Sequence, residues 1–123
     1  MVPTTTQTLP KDTWRTYFDE LSKNLGTMIV TVESIGKDIG AQIAAERLVL
    51  TGITYDDKDD IVVIGLDAPG GNPEEYQHIV YQPRTIAVAT GDPDGPPLVV
   101  DVEDADAHRH IVRMELPPEL PGD

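Results

Sequence analysis

The residues best suited to chemistry lie in the last third of the chain. His108 and His110 stand two apart, so on a strand their imidazoles point to the same side. Asp101, Glu103, Asp104 and Asp106 precede them within one predicted hairpin. Two imidazoles with a carboxylate form a ligand set for a divalent transition ion. A carboxylate beside a histidine also makes a pH-sensitive spot. A second acidic group, Asp56, Asp57, Asp59 and Asp60, occupies a single predicted turn. Clustered carboxylate oxygens suit hard cations such as calcium or magnesium. The spacing lacks the alternate acids, central glycine and closing glutamate of a helix-loop-helix calcium site, and a charged β-turn accounts for the same residues. Gly91-Asp92-Pro93-Asp94-Gly95 consists of turn dipeptides. Tyr76, His78, Tyr81 and Arg84 form a fourth group. Side chains of these types build binding faces, and they serve equally as half-buried cross-strand pairs. Tyr76 and His78 share a strand face, and Tyr81 points to the other.

Other chemistries find no support. The chain has no cysteine, which removes disulfides, thiolate metal sites and cysteine nucleophiles. It carries no phosphate loop, dinucleotide glycine pattern, HExxH or GxSxG. Ser22 and Ser34, the only serines, have no base placed beside them by sequence. No cofactor is expected, and an enzyme is less expected than a binding protein.

Charge narrows the partners. Nine Lys and Arg face 22 Asp and Glu, a net −13 over 123 residues. The excess is local. Residues 27–55 hold Lys37 and Arg47 against Glu33, Asp38 and Glu46, a net −1. From Asp56 onward four cations face 16 acids, a net −12. Such a surface repels phosphate backbones and anionic lipid. A protein partner, self-association or a divalent cation fits it, and nucleic acid is disfavoured. The start of the chain lacks a cationic and apolar leader, and no run approaches the ~20 apolar residues of a membrane span. The expected compartment is the cytoplasm.

The elements that would position these residues follow from periodicity. Trp14, Phe18, Leu21 and Leu25 form the stripe of an amphipathic helix, with Tyr17 beside Leu21. Pro10 suits its first turn and Gly26 its C-terminal cap. The only Trp and the only Phe are both in this segment, which makes it an anchor of the core. From Thr27 the period becomes two. Strands are expected over residues 28–33, 41–55 (one long strand, or two with a break), 61–66, 76–81, 85–90, 98–103 and 109–116, with residues 61–66 buried on both faces or nearly so. The apolar positions change parity across Gly52, which predicts a bulge. Pro83 predicts an edge or a bulge between 76–81 and their continuation at 85–90. Leu98, Val100 and Val102 should share one face of the last hairpin, with His110, Val112 and Met114 sharing one face of the partner strand.

The run Pro10-Lys11-Asp12-Thr13-Trp14, the strand Ile29-Val30-Thr31-Val32-Glu33, and Asp38-Ile39-Gly40-Ala41-Gln42 with Leu50-Thr51-Gly52-Ile53 resemble a group of short bacterial proteins. That group is catalogued as domain of unknown function 5335. The resemblance is densest over residues 10–60. It implies a bacterial cytosolic protein and no particular activity. In layout alone, a helix followed by short antiparallel strands is similar to two kinds of small β-barrel. One is the Sm-like barrel, which binds RNA; the other is the reaction-centre type, an interaction module.

The expected architecture is therefore α+β: an N-terminal amphipathic helix packed on a strongly bent antiparallel sheet, or small barrel, of about six strands. Residues 1–9 are expected to be a flexible tail, 10–116 a single domain, and 117–123 a disordered proline-rich tail. The expected function is a small acidic non-catalytic protein-interaction module. The alternative is a metal-binding or metal-dependent protein using the acidic turn or the His/Asp hairpin, with a small-barrel nucleic-acid binder third.

Overall fold

A computed structural model describes residues 5–24, 28–67, 75–91 and 97–115. The chain opens with strand β1 (Thr5–Thr8) and a single 3₁₀ turn (Lys11–Thr13) that runs into helix α1 (Trp14–Lys23). Seven strands follow: β2 (Ile29–Gly36), β3 (Gly40–Asp56), β4 (Ile61–Asp67), β5 (Glu75–Tyr81), β6 (Pro83–Thr90), β7 (Val99–Asp104) and β8 (Arg109–Glu115). All eight strands join one sheet in the order β1-β6-β7-β8-β2-β3-β4-β5. Every neighbouring pair is antiparallel.

The helix forms where its apolar stripe lies. Trp14 and Phe18 are fully buried against the sheet, and Tyr17 and Leu21 pack at the margin of the core. α1 lies on β3. Trp14 meets Tyr55 of β3 edge-on, with ring centroids 5.2 Å apart at 87°. The Ser22 hydroxyl donates to the Ile53 carbonyl at 3.0 Å and accepts the Ile53 N–H at 3.1 Å. β2 ends opposite Val49, so Ser22 satisfies the backbone of β3 just beyond the point where its strand partner stops. The bulge expected at Gly52 is present: the register of β3 against β4 shifts between Leu50 and Gly52.

Several expectations need correction. There are eight strands, not six, and the end strands β1 and β5 do not pair, so the sheet is open and not a closed barrel. Thr5–Thr8 is not tail but a strand on β6, from Thr5↔Thr90 to Thr8↔Ala87. Leu9 is buried, donates its N–H to the Ile86 carbonyl at 2.8 Å, and accepts the Trp14 indole N–H at 3.0 Å. Residues 5–9 are thus part of the packed structure, ahead of Pro10. Residues 61–66 are buried on one face and only half covered on the other. The segment after Pro83 does not continue the one before it. Five strands separate β5 from β6 in the sheet, and Gln82 joins them alone with φ 52° and its N–H on the Asp60 carbonyl at 2.9 Å. Such a tight corner between the two ends of a sheet requires the sheet to fold over on itself, and β5 accordingly lies against β7. The expected cap at Gly26, most of the loop after Asp67, most of the turn Gly91–Pro97 and the 117–123 tail lie outside the described residues.

Candidate functional site

The fold-over brings together two histidines that the sequence places in separate groups. His110 sits on the inner face of β8, opposite Val102 of β7 and Ser34 of β2. His78 comes from β5, on the overlying layer. His78 Nε2 and His110 Nδ1 stand 2.9 Å apart, and the ring centroids are 5.1 Å apart at 52°. The other nitrogen of His110, Nε2, donates to Asp104 Oδ2 at 2.9 Å. Ser34 Oγ lies 3.4 Å from His110 Nδ1. The carboxylate of Asp104 can only accept, so His110 carries a proton on Nε2, and its Nδ1 faces His78 and Ser34.

Asp104 is held by its own turn. Its Oδ1 accepts the backbone N–H groups of Asp106 at 2.9 Å and His108 at 3.0 Å. Ala107 takes a positive φ of 65°, which closes the loop between β7 and β8. Burial favours the neutral carboxyl of Asp104, but the hydrogen bonds from His110 and from the His108 and Asp106 N–H groups outweigh it and hold its pKa below the ordinary value. Burial, with the charge of His110 second, pushes the pKa of His78 down.

His108 stands at the edge of this group, with its Nδ1 4.0 Å from Asp104 Oδ2. It lies outside β8, against the turn between β2 and β3, with its Nε2 2.7 Å from Asp38 Oδ1. The Asp38 contact raises the His108 pKa, and the same bond lowers that of Asp38. The ring rests on Gly36, where an added Cβ would collide with His108 Cδ2. A cleft of about 520 Å³ adjoins this pair, lined by Lys37, Asp38, Asp106, Ala107 and His108.

The remaining sequence candidates scatter. Asp101 is paired with Arg109. Asp101 and Glu103 alternate with buried Val100, Val102 and Asp104, so they face away from His110. In the acidic turn, Asp56 Oδ1 accepts the N–H groups of Lys58 at 3.0 Å and Asp59 at 3.3 Å, an ordinary aspartate turn. Asp60 accepts the Tyr55 hydroxyl at 2.8 Å, and burial followed by this acidic neighbour pushes the Tyr55 pKa up to about 12. Asp57 and Asp59 are exposed. Among the described residues, no three His, Asp or Glu side chains converge to hold a metal ion. Tyr76, His78, Tyr81 and Arg84 do not form one face. His78 is half-buried in the His110 group, Tyr76 is at the rim of the same side, Tyr81 projects from the other side, and Arg84 lies beyond the corner in β6. Asp104 was visible from sequence as a member of the hairpin acids. Ser34 and the pairing of His78 with His110 were not, because each depends on strand order.

Ser34 shares His110 Nδ1 with His78.

A second feature lies on β3. Its pairing with β4 begins only at Val49, so among the described residues the outer flank of Gly40–Leu48 has no strand partner. Residues 40–44 are exposed on both faces, and Ile43 is 55% exposed. The run Gly40-Ala41-Gln42-Ile43-Ala44-Ala45 carries no charge. Against β2 it is regular from Gly40 to Ile43; Ala44 is then an extra residue, and Arg47 takes φ 53°.

No helix among the described residues is long and apolar enough to cross a membrane. No solved structure matches the chain. An uncharacterized protein of Aquifex aeolicus (strain VF5) is 36% identical over 116 residues, spanning 94% of this chain and 97% of its own length. The family model of DUF5335, a family of unknown function, matches residues 5–123, and the chain belongs to that family.

Proposed function

We propose that this is a non-catalytic, cytoplasmic protein-interaction module that binds an extended segment of a partner along the outer flank of β3. The observation that carries the reading is the exposed, uncharged run from Gly40 to Ala44, whose outer flank has no strand partner among the described residues. Strand edges ordinarily bear lysine, proline or an inward charge that discourages pairing. None of these interrupts residues 40–45. An extended segment laid along this flank gains main-chain hydrogen bonds and a contact with Ile43. The extra residue at Ala44 limits the docked stretch to a few residues, which suits a reversible contact. The dense negative charge beyond Asp56 disfavours nucleic acid and favours a neutral or basic partner.

The test is a photo-crosslinking residue placed at position 43 of the full chain in living cells, with the same residue at exposed Thr51 as comparison. A discrete crosslinked protein at 43 and none at 51 is the expected result. Equal labelling at both positions, or none at 43, rejects the reading.

A further inference from the structure

All three histidines of the chain stand in one row with two carboxylates. His78 Nε2 meets His110 Nδ1 at 2.9 Å, and His110 Nε2 meets Asp104 Oδ2 at 2.9 Å. His108 Nδ1 lies 4.0 Å from the same Oδ2, and His108 Nε2 lies 2.7 Å from Asp38 Oδ1. The row crosses the seam at which β5 folds over β8. We infer that it is an acid-sensitive latch: the seam stays closed while His78 and His110 share one added proton, and a second added proton lifts the start of β5 off β8.

The count of protons carries the argument. In the neutral pair His110 gives its Nε2–H to Asp104, so His78 Nε2–H donates to His110 Nδ1. One added proton makes either ring an imidazolium, and a single hydrogen still lies between the facing nitrogens. With two added protons both facing nitrogens carry hydrogens. No lone pair remains between them, and the contact turns from a hydrogen bond into a clash of like charges. The supply of carboxylates points the same way. His110 has Asp104 and His108 has Asp38, but among the described residues no carboxylate pairs with His78. Ser34 of β2 and Ile64 of β4, the residue opposite His78, bring no charge, and the Asp106 side chain is exposed. Arg109, Asp101, Glu103, Glu33 and Arg113 of the flanking strands alternate onto the outer face. Burial, with the charge of His110 second, already holds the His78 pKa below its ordinary value. The strand is built to part at this end. β5 is the last strand of the sheet, its Val80 is fully buried, and Gln82 closes the corner beyond, so only the stretch from Glu75 to His78 can swing.

The open form binds one proton more than the closed form. Below the ordinary histidine value of 6.5 the ratio of open to closed chains therefore grows up to about tenfold per pH unit. Nuclear magnetic resonance of the full, unsubstituted chain, titrated from about pH 8 to about pH 4.5, tests this. The His78–His110 pair takes up its protons in two separate steps. Cross-peaks between the two rings persist through the first step and vanish in the second, where a soluble neutral gadolinium chelate begins to broaden the His110 ring signals. Val80 and Phe18 stay shielded from the chelate throughout, which separates parting of the seam from unfolding. In His78→Gln the side-chain amide still donates to His110 Nδ1 but takes no charge, so the broadening of His110 is absent over the whole range. His108→Gln keeps both steps. Ring contact that survives when both imidazoles are fully charged, broadening of His110 only together with Val80, or an opening as large in His78→Gln as in the unsubstituted chain overturns the proposal.

Discussion

Replacing Asp104 by alanine tests the account of the buried polar group most directly. The side chain is 11% exposed and accepts three hydrogen bonds, one from His110 and two from the turn N–H groups of Asp106 and His108. Alanine removes all three acceptors. Asp106 is exposed and His108 half-exposed, so water can reach their N–H groups and each lost bond costs about 1 kcal/mol. The Nε2–H of His110 is buried and stays unsatisfied, which adds about 2 kcal/mol. The sum is about 4 kcal/mol, or a fall in Tm of roughly 10–20 °C for a domain of this size. Urea unfolding at neutral pH in the presence of a chelator measures it. Asp104→Asn separates the two contributions. Its amide oxygen keeps the turn, and its NH₂ faces His110 only if the imidazole moves its proton to Nδ1. Asn should therefore cost about 1–2 kcal/mol, with a change of His110 tautomer visible in its ring nitrogen resonances. A loss below about 1 kcal/mol for Asp104→Ala, or an unchanged tautomer in Asp104→Asn, refutes the assignment of the network.

Three further outcomes are expected. The Asp38–His108 pair has an acid with a lowered pKa and a base with a raised one, so its contribution is present above pH 3.8 and below pH 6.5, and it is lost as pH rises through the folded value of His108. His108→Gln should therefore narrow the stability gap to wild type as pH climbs past 6.5, and a gap independent of pH from 5 to 9 contradicts this. Deleting residues 1–8 strips β6 of its partner and should cost about 2–4 kcal/mol at roughly 1 kcal/mol per ladder bond, with aggregation that grows with concentration, seen by light scattering. Phe18→Ala empties a fully buried position and should cost about 3–5 kcal/mol in urea unfolding followed by Trp14 fluorescence.

Much of the fold was legible because local patterns agree with tertiary burial. The Trp14–Phe18 spacing found the helix, and the change of parity across Gly52 found the bulge. What escaped was set by contacts distant in sequence. Thr5-Thr6-Gln7-Thr8 has no apolar alternation, and all four residues stay exposed; only the backbone of β6 makes them a strand. Gln82 is a single residue of left-handed φ, and nothing local shows that it joins opposite ends of a sheet. The candidate site inherits that gap. His108 and His110 were expected to act together from their spacing, but His108 precedes the strand and turns to Asp38. The partner of His110 is 32 residues away and arrives only through the corner at Gln82.

The corner also explains why the polar group and the open flank lie where they do. One helix of ten residues cannot cover eight strands, so the sheet must bury most of its inner face against itself. Val80 of β5 reaches the fully buried core, whereas His78, two residues nearer the strand's start, is only half-buried and meets His110. Polar side chains are tolerable there because they satisfy one another, and among the described residues no buried side-chain nitrogen or oxygen lacks a partner. β3 faces the opposite problem. At 17 residues it is more than twice as long as the strand on its outer side, β4 at seven. Where β2 stops short, Ser22 supplies the missing hydrogen bonds; where β4 stops short, among the described residues only solvent can. A backbone flank that a second strand would satisfy as well as water does, with no charge from Gly40 to Ala45 to repel it, is the chemistry on which strand addition depends.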